Sequence, residues 1–308
     1  MPFEIIRGDI TEFDADAVVN AANSRLFPGG GVCGALFNKA GYDELFAECA
    51  KIGHCSRGGA VITRGYALKA RHIIHTVGPI WQGGEFGEEA QLCACYTNSL
   101  ALAQREGLRS VAFPLISAGI FGYPQDRALT CAVRAIGAYL ASHEEMDVCL
   151  ILFDTRDKAL GEALFPKLRQ LMSRAPAQAE NDIPDGDAHM PFCADESLAK
   201  ELSRLIGESG LDDATLSRRA NLHLETVREI RKNPLCPSPD RRGILLALAI
   251  AMQLAPKDVR ALQVSFGCAP SGPDRTQLIV ESFLEQGIYD IYTINEALYF
   301  AGESQLCF

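Results

Sequence analysis

Over residues 1–175, short apolar runs alternate with amphipathic stretches, the pattern of strands covered by helices in an α/β domain. The runs Phe3–Arg7, Ala17–Asn20, Ala60–Arg64, His72–Val77, Ser110–Pro114 and Val148–Phe153 predict strands. Apolar residues spaced by three and four predict helices over Gly34–Ala40, Tyr42–Ile52, Glu88–Glu106, Gln125–His143 and Lys158–Arg174. Three junctions fall directly after strands: GDIT at Gly8, the glycine run at Gly29 and SAGIFGYP at Ser117. In an open α/β sheet such strand ends are where ligands bind. Periodicity then vanishes in a stretch dominated by Pro, Asp and Ala, which predicts a linker over 176–194. From there to the end the pattern is helical: Asp195–Gly210, Asp213–Ala220, Leu224–Arg231, Pro239–Leu254, Pro256–Phe266, Pro273–Gln286 and Thr293–Phe300. The chain therefore reads as an α/β domain over 1–175 and a smaller all-α domain over 195–308.

Composition narrows the class. With 48% hydrophobic residues in 308, there is material for two ordinary globular cores. No apolar run is long enough to span a bilayer, and MPFEIIRGDI has neither the basic nor the apolar region of a secretory leader, so the expected location is the cytoplasm, with no membrane partner. The 11 cysteines are odd in number, scattered and without CxxC pairs, which reads as reduced, buried small hydrophobes. A net charge of −10 argues against a protein that coats nucleic acid or anionic membrane.

The candidate chemistry centres on Asn20–Phe37, NAANSRLFPGGGVCGALF. Carboxamides Asn20 and Asn23, with Gly29, Gly30 and Gly31, follow directly on an apolar strand. Glycine lets backbone N–H groups approach an anion with no Cβ in the way, and a helix opening near Gly34 aims its positive dipole end at the same place. Asp9, behind the first strand, can accept a hydrogen bond from an exocyclic amine such as adenine N6. The small-residue loop Ser117, Ala118, Gly119, Ile120, Phe121 and Gly122 would close over the other side of the same phosphates. Phe121 would wall a sugar and Phe153 support a base. Taken singly, an Asp after a strand is a turn former and a glycine run a flexible loop; the equivalent placement of all three joins them into one site for a nucleotide diphosphate. Cys33 with His75 as its base is a thiol alternative, and His54–Cys55 with Cys93 and Cys95 a zinc alternative. A histidine in an apolar strand more often fixes a loop, and the cysteines lack regular ligand spacing, so the reading calls for no metal and no cofactor. Tyr66 and Lys39 read as surface or packing residues, and Trp81, near Gly83 and Gly84, as part of a mobile loop.

Six motifs taken in order, GDIT at Gly8, VVNAAN at Val18, GGGV at Gly29, IIHTVGP at Ile73, CYTNSLALA at Cys95 and FPLISAGIFGYP at Phe113, resemble the macrodomain family, and within it the MacroD-type hydrolase branch. The resemblance covers residues 1–175. It implies a three-layer αβα fold with a mixed central sheet and binding of ADP-ribose or an ADP-ribosylated protein. It also implies hydrolysis of mono-ADP-ribose from acidic side chains, or deacetylation of O-acetyl-ADP-ribose. Carried over by position, Asp9 and Ile10 would hold adenine and Phe153 would stack on it. Gly29, Gly30, Gly31 and Val32 with Ser117, Ala118, Gly119, Ile120 and Gly122 would wrap the diphosphate. Asn23 would contact the distal ribose and Phe121 pack against it. The chain departs from the branch at one position: it reads GGGVCG where many members read GGGVDG. Cys33 thus replaces an acidic residue to which activation of water is ascribed, and a thiol is a poorer base for oxygen chemistry. The implied mechanism is then substrate-assisted, with the substrate's phosphate helping to place the water and Asn23, Cys33 and Phe121 as the catalytic candidates. A non-catalytic reader of ADP-ribose is the alternative.

In the helical domain, Asp212–Pro234 predicts two short helices joined near Ala220–His223, with Leu216, Leu224, Val227 and Ile230 inside. This resembles a helix-turn-helix of the Cro/repressor class over about seventy residues. Arg218, Arg219, Arg228, Arg231, Lys232, Arg241 and Arg242 form a local basic cluster, but Glu225 and Glu229 sit among them and the domain is net acidic. Docking on a partner protein, or on the chain's own first domain, is the favoured expectation over DNA binding. The apolar tail from Gln277 is expected to close the helical core.

Overall fold

The structure is a computed structural model that describes residues 3–143, 146–153, 165, 196–232, 241–269 and 274–306. Contacts divide the chain into two compact units, Met1–Leu164 and Phe165–Phe308. The expected helix Lys158–Arg174 and linker 176–194 lie outside the described residues.

In the first unit the strands are β1 (Phe3–Arg7), β2 (Ala17–Ala21), β3 (Ala60–Arg64), β4 (His72–Thr76), β5 (Ser110–Pro114) and β6 (Asp147–Leu152). They form one 6-stranded sheet in the order β1-β6-β5-β2-β4-β3. All pairs are parallel except β3 with β4, which makes the sheet mixed. The helices are α1 (Val32–Ala40), α2 (Tyr42–Ile52), α3 (Glu88–Arg105) and α4 (Gln125–Leu140), with a 3₁₀ turn at Ile10–Glu12. Each observed strand lies within one residue of its expected bounds; the inner strands β2 and β5 are buried on both faces and carry an unbroken apolar signal.

Strand parity sorts the layers. Val18, Ile73, Ala112 and Ile151 point to one face and build a core with Leu36, Phe37, Leu45 and Cys49 of α1 and α2. Their neighbours Val19, Ile74, Val111 and Phe113 point to the other face, where the ring of Phe113 lies 5.3 Å from that of Tyr96 in α3. Tyr96 is fully buried, and its hydroxyl accepts a hydrogen bond from the Ile116 N–H (3.1 Å), so α3 supports the chain leaving β5.

The second unit contains α5 (Glu196–Glu208), α6 (Asp213–Ala220), α7 (Leu224–Lys232), α8 (Arg241–Ala251), α9 (Pro256–Ser265), α10 (Arg275–Glu285) and α11 (Ile291–Ala301). Asp212, Asp274 and Asp290 cap α6, α10 and α11 by accepting from the N–H three residues on. Between α6 and α7 the chain turns on Asn221 in the left-handed region (φ 54), and Ser217 Oγ donates to the Leu222 carbonyl (2.7 Å). Leu216, Val227 and Ile230 are buried as the pattern requires, and Leu224 is half-buried. The tail closes this core: Ile279, Val280, Leu284, Ile291, Ile294 and Leu298 are all buried. The ring of Phe165 packs against Phe283 and Phe300 within the same unit. Among the described residues no helix is long and apolar enough to cross a membrane.

Candidate functional site

The sheet order sets β1, β6, β5 and β2 side by side and parallel, so the chain leaves all four at one edge. A cleft of about 750 Å³ opens there. Each strand end contributes a wall: Gly8–Ile10 after β1, Ile151–Phe153 at β6, Pro114–Phe121 at β5, and Ala21–Asn23 with Gly29–Cys33 after β2.

Asp9 caps the 3₁₀ turn, its Oδ1 accepting from the Thr11 N–H (2.9 Å) and hydroxyl (2.8 Å). Both bonds fall on one oxygen, so Oδ2 keeps its capacity to accept from a ligand. Phe153 stands 80% exposed at the cleft margin, an apolar surface of a kind that soluble proteins leave open for contact.

The glycine loop ends at Gly31, whose φ of 61 and ψ of −142 lie in a region open to glycine, and which caps α1. Gly34 is a contact requirement: a Cβ there would lie 2.4 Å from the Gly29 carbonyl oxygen, so the loop closes only over a bare Cα. The opposite loop is a compact turn in which Gly122 donates to the Gly119 carbonyl (2.9 Å) and Tyr123 to that of Ser117 (3.0 Å). The two loops nearly meet across the cleft, since a Cβ on Gly30 would come 3.1 Å from Ile120 Cδ1. Among the described residues, the N–H groups of Gly30, Gly31 and Val32 on one side and of Ala118, Gly119, Ile120 and Phe121 on the other have no protein acceptor. Two rows of unengaged backbone donors, one at a helix N-terminus, make a receptor for a polyanion.

Asn23 is half-buried and braces its own loop: Nδ2 donates to the Phe27 carbonyl (2.6 Å), and Oδ1 accepts from the N–H groups of Arg25 and Phe27 (both 3.2 Å). One Nδ2 proton remains for the cleft. Cys33 is 4% exposed, and burial pushes its thiol up from the ordinary value, against the weaker pull of the Asn20 amide and the Gly29 N–H. It is a neutral thiol at physiological pH. His75 does not touch it. Asn20 stands between, its Nδ2 donating to Cys33 Sγ (3.6 Å) and to His75 Nδ1 (3.0 Å). With Nδ1 accepting, the imidazole proton sits on Nε2 and is donated to Thr63 Oγ1 (2.9 Å). The thiol–imidazole pair weighed from sequence is therefore absent, and the histidine fixes the floor of the loop.

Burial lowers the His75 pKa to about 4, and this has a consequence for stability. The unfolded chain takes up a proton near the ordinary value of about 6.5 while the folded domain resists until about 4. Stability is thus fully present above pH 6.5 and lost as pH falls through this window, by roughly 3 kcal/mol in all. Chemical denaturation at stepped pH is expected to show that loss, and His75→Gln to remove its contribution.

The structure brings Asp9, Ile10, Asn23, Gly29, Gly30, Gly31, Val32, Cys33, Ser117, Ala118, Gly119, Ile120, Phe121 and Phe153 to one cleft. Asn20 and Gly122 do not line it. Asn20 shares the strand parity of Val18, so its side chain points into the α1/α2 layer and is fully buried. Gly122 serves the geometry of its turn, at a φ of 69. Among the described residues no group of three or more His, Cys, Asp and Glu stands where it could hold a metal ion. The sequence reading missed Gly78 and Gln125 as lining residues and Glu88 as an organiser. Gly78 leaves room for Ser117, since a Cβ would sit 2.1 Å from Ser117 Oγ; its signal was the Gly-Pro that ends HTVGP.

Glu88 anchors the loop around Trp81. Its buried carboxylate accepts from the N–H groups of Gln82 (3.1 Å), Gly84 (3.0 Å) and Phe86 (2.7 Å). Burial opposes ionisation, but these backbone donors outweigh it and hold the carboxyl below its ordinary value. The loop is tied in turn to the cleft, with Trp81 N–H donating to the Phe121 carbonyl (2.9 Å) and the indole lying against Tyr123 (4.6 Å between rings). Trp81 is the sole tryptophan. Glu88→Ala is expected to shift the intrinsic emission to the red and to increase its quenching by iodide, both measurable by steady-state fluorescence.

A mixed α/β sheet with a strand-end cleft walled by two loops rich in unengaged N–H groups defines an α/β domain with a built ligand-sized cleft. Comparison with known proteins places it more narrowly. The Macro domain family profile matches residues 19–132. A macro domain-containing protein of Ralstonia nicotianae is 47% identical over 164 residues, 53% of this chain and 94% of that protein. A Klebsiella pneumoniae protein named O-acetyl-ADP-ribose deacetylase is 44% identical over 162 residues, 51% of this chain and 92% of that protein. The solved Oceanobacillus iheyensis macrodomain with ADP shares 37% identity, covers 56% of this chain and 92% of its own, and superimposes with a TM-score of 0.50. The chain belongs to the macro domain family through its first unit, and that unit has the macrodomain fold.

Proposed function

We propose that the first unit binds ADP-ribose and hydrolyses it from acidic side chains of proteins, from O-acetyl-ADP-ribose, or from both. The observation that carries this reading is the pair of loops with unengaged N–H groups at Gly30–Val32 and Ala118–Phe121, facing each other across a cleft whose far margins hold Asp9 and Phe153. A diphosphate fits between the loops, adenine beside Asp9 and Phe153, and the distal ribose toward Asn23 and Phe121. Among the described residues of the lining, Asp9 and Cys33 are the titratable side chains, and neither is a general base for the distal ribose: Asp9 follows β1, away from β2, and Cys33 is a buried neutral thiol. Hydrolysis then rests on positioning. The loops hold the diphosphate, a phosphate oxygen orients the attacking water, Asn23 and Phe121 fix the sugar, and the acid leaves as a carboxylate. The relatives named O-acetyl-ADP-ribose deacetylase support an ester of ADP-ribose as substrate.

The second reading is a reader that binds ADP-ribose without turnover. It is favoured by Cys33 at the position where the resembling branch carries an acid. Titration calorimetry of the full chain with ADP-ribose, with AMP and inorganic pyrophosphate as partial ligands, tests the common part of both. ADP-ribose binding at micromolar affinity, far above either fragment, is expected; equal weak binding of all three contradicts it.

For the second unit we propose a protein-docking role in the cytoplasm. Three of the seven residues of its basic cluster are paired with carboxylates: Arg228 with Glu225 (2.7 Å), Arg231 with Asp213, and Arg242 with Asp274 (2.5 Å). Guanidinium groups already neutralised by neighbouring carboxylates contribute little to phosphate binding.

A further inference from the structure

Outside the cleft, two cysteines face one another between the paired helices α3 and α4. Cys93 Sγ of α3 and Cys131 Sγ of α4 lie 2.7 Å apart, and both are free thiols. The two sulfurs lie inside van der Waals contact, so a small side-chain adjustment brings them to bonding distance. Their surroundings are unequal. Cys93 is half-buried, and the Arg134 guanidinium, one turn along α4 from Cys131 and paired with Glu89, approaches its sulfur (Nη2 to Sγ 3.8 Å). Cys131 is 2% exposed and lies beneath it. We propose that Cys93 and Cys131 form a peroxide-reactive cysteine pair, a modification site in which Cys93 is attacked first and Cys131 resolves the product as an intramolecular disulfide.

The chemistry follows from the environments. The Cys131 S–H and the Arg134 cation stabilise negative charge on Cys93 and hold its thiol below the ordinary value, whereas the bond to Cys93 and burial push Cys131 up. Cys93 is therefore the more readily ionised of the two sulfurs, and Cys131 keeps its proton longer. The Cys93 thiolate attacks one oxygen of hydrogen peroxide, the O–O bond breaks, and the sulfur leaves as a sulfenic acid while hydroxide takes a proton to become water. Cys131, having lost its proton to solvent, attacks the sulfenic sulfur, the S–O bond breaks, and a second water departs. Two thiols and one peroxide thus give one disulfide and two waters. The bridge would join α3 to α4 beside Tyr96 and Tyr123, the residues that support the Ser117–Phe121 loop and the Trp81 wall.

Peroxide treatment of the full chain, followed by alkylation and tryptic mapping, tests the assignment. The expected result is a dithiothreitol-reversible link between the peptide carrying Cys93 and the peptide Ala128–Arg134, with a mass loss of about 2 Da for two hydrogens removed. Fragmentation assigns the bridge to Cys93 rather than Cys95. In Cys131→Ser, which keeps a donor to Cys93 but cannot form the bridge, the disulfide is replaced by a dimedone-reactive sulfenic acid on Cys93, and Arg134→Ala slows iodoacetamide labelling of Cys93 at neutral pH severalfold. Peroxide that oxidises other cysteines while Cys93 stays alkylatable in the wild type would overturn the proposal, as would an absence of dimedone label on Cys93 in folded Cys131→Ser.

Discussion

Gly34→Ala is expected to weaken ADP-ribose binding by about 30-fold, roughly 2 kcal/mol, while leaving a cooperatively folded domain. The added Cβ would lie 2.4 Å from the Gly29 carbonyl oxygen, and the conflict is with backbone, not with a side chain that can rotate away. Relief requires the Gly29–Gly31 segment to move off α1. That movement carries the N–H groups of Gly30, Gly31 and Val32 out of line with the opposite loop, which they face at near contact through Ile120. The core beneath is untouched: Leu36 and Phe37 of α1 stay packed against Val18 and Ile73. Calorimetry with ADP-ribose and a thermal melt on the same sample separate the two effects. An unaltered affinity would mean that the glycine loop does not hold the ligand.

Asn23→Ala is expected to lower turnover by about 100-fold, and Cys33→Ala to leave it within about threefold of the wild type. Asn23 does two things at once. Its amide spans the turn from Asn23 to Phe27 by three hydrogen bonds and presents a remaining N–H at the cleft, so removing it loosens the turn and deletes a donor. Cys33 lines the cleft but holds no charge to lose, because burial keeps its thiol protonated, and its sulfur is engaged with the Asn20 amide and the Phe27 carbonyl. Steady-state hydrolysis of an ADP-ribosylated glutamate by the two variants gives the comparison. A loss in Cys33→Ala as deep as in Asn23→Ala would make the thiol a participant and overturn the positioning account.

Much of this architecture is legible in the chain itself, and the reasons are local. β2 and β4 read as strands because Ala17–Val19 and Ile73–Ile74 are apolar on both parities, the mark of a parallel strand covered on both faces. α2 and α6 match their expected bounds residue for residue, since Gly53 stops the one and Asp212 starts the other. Where bounds shift, a cap explains it. α1 opens at Val32 rather than Gly34 because Gly31 takes the capping conformation, and α11 opens at Ile291 rather than Thr293 because Asp290 caps through the Thr293 N–H. α4 stops at Leu140 rather than His143, whose Nδ1 instead bonds the Tyr139 carbonyl.

The site was legible where one loop acts as a unit and illegible where two distant segments meet. Asn20 and Asn23 look alike in VVNAAN, yet one is sealed under the loop by His75 and the other borders the cleft. That difference depends on strand parity and on a partner 55 residues away. Glu88 reads as an ordinary acid in a helix's first turn until the Gln82–Phe86 loop folds back on it. The closeness of Cys93 to Cys131 is likewise a property of how α3 packs on α4 and has no local signature.

The most direct measurement is release of ADP-ribose from a mono-ADP-ribosylated, glutamate-modified protein by the wild-type full chain, with ADP-ribose binding measured on the same preparation. The account predicts both tight binding and release of unmodified protein, and its loss in Asn23→Ala. Tight binding with no release from this ester or from O-acetyl-ADP-ribose would contradict the hydrolase and leave a reader of ADP-ribose.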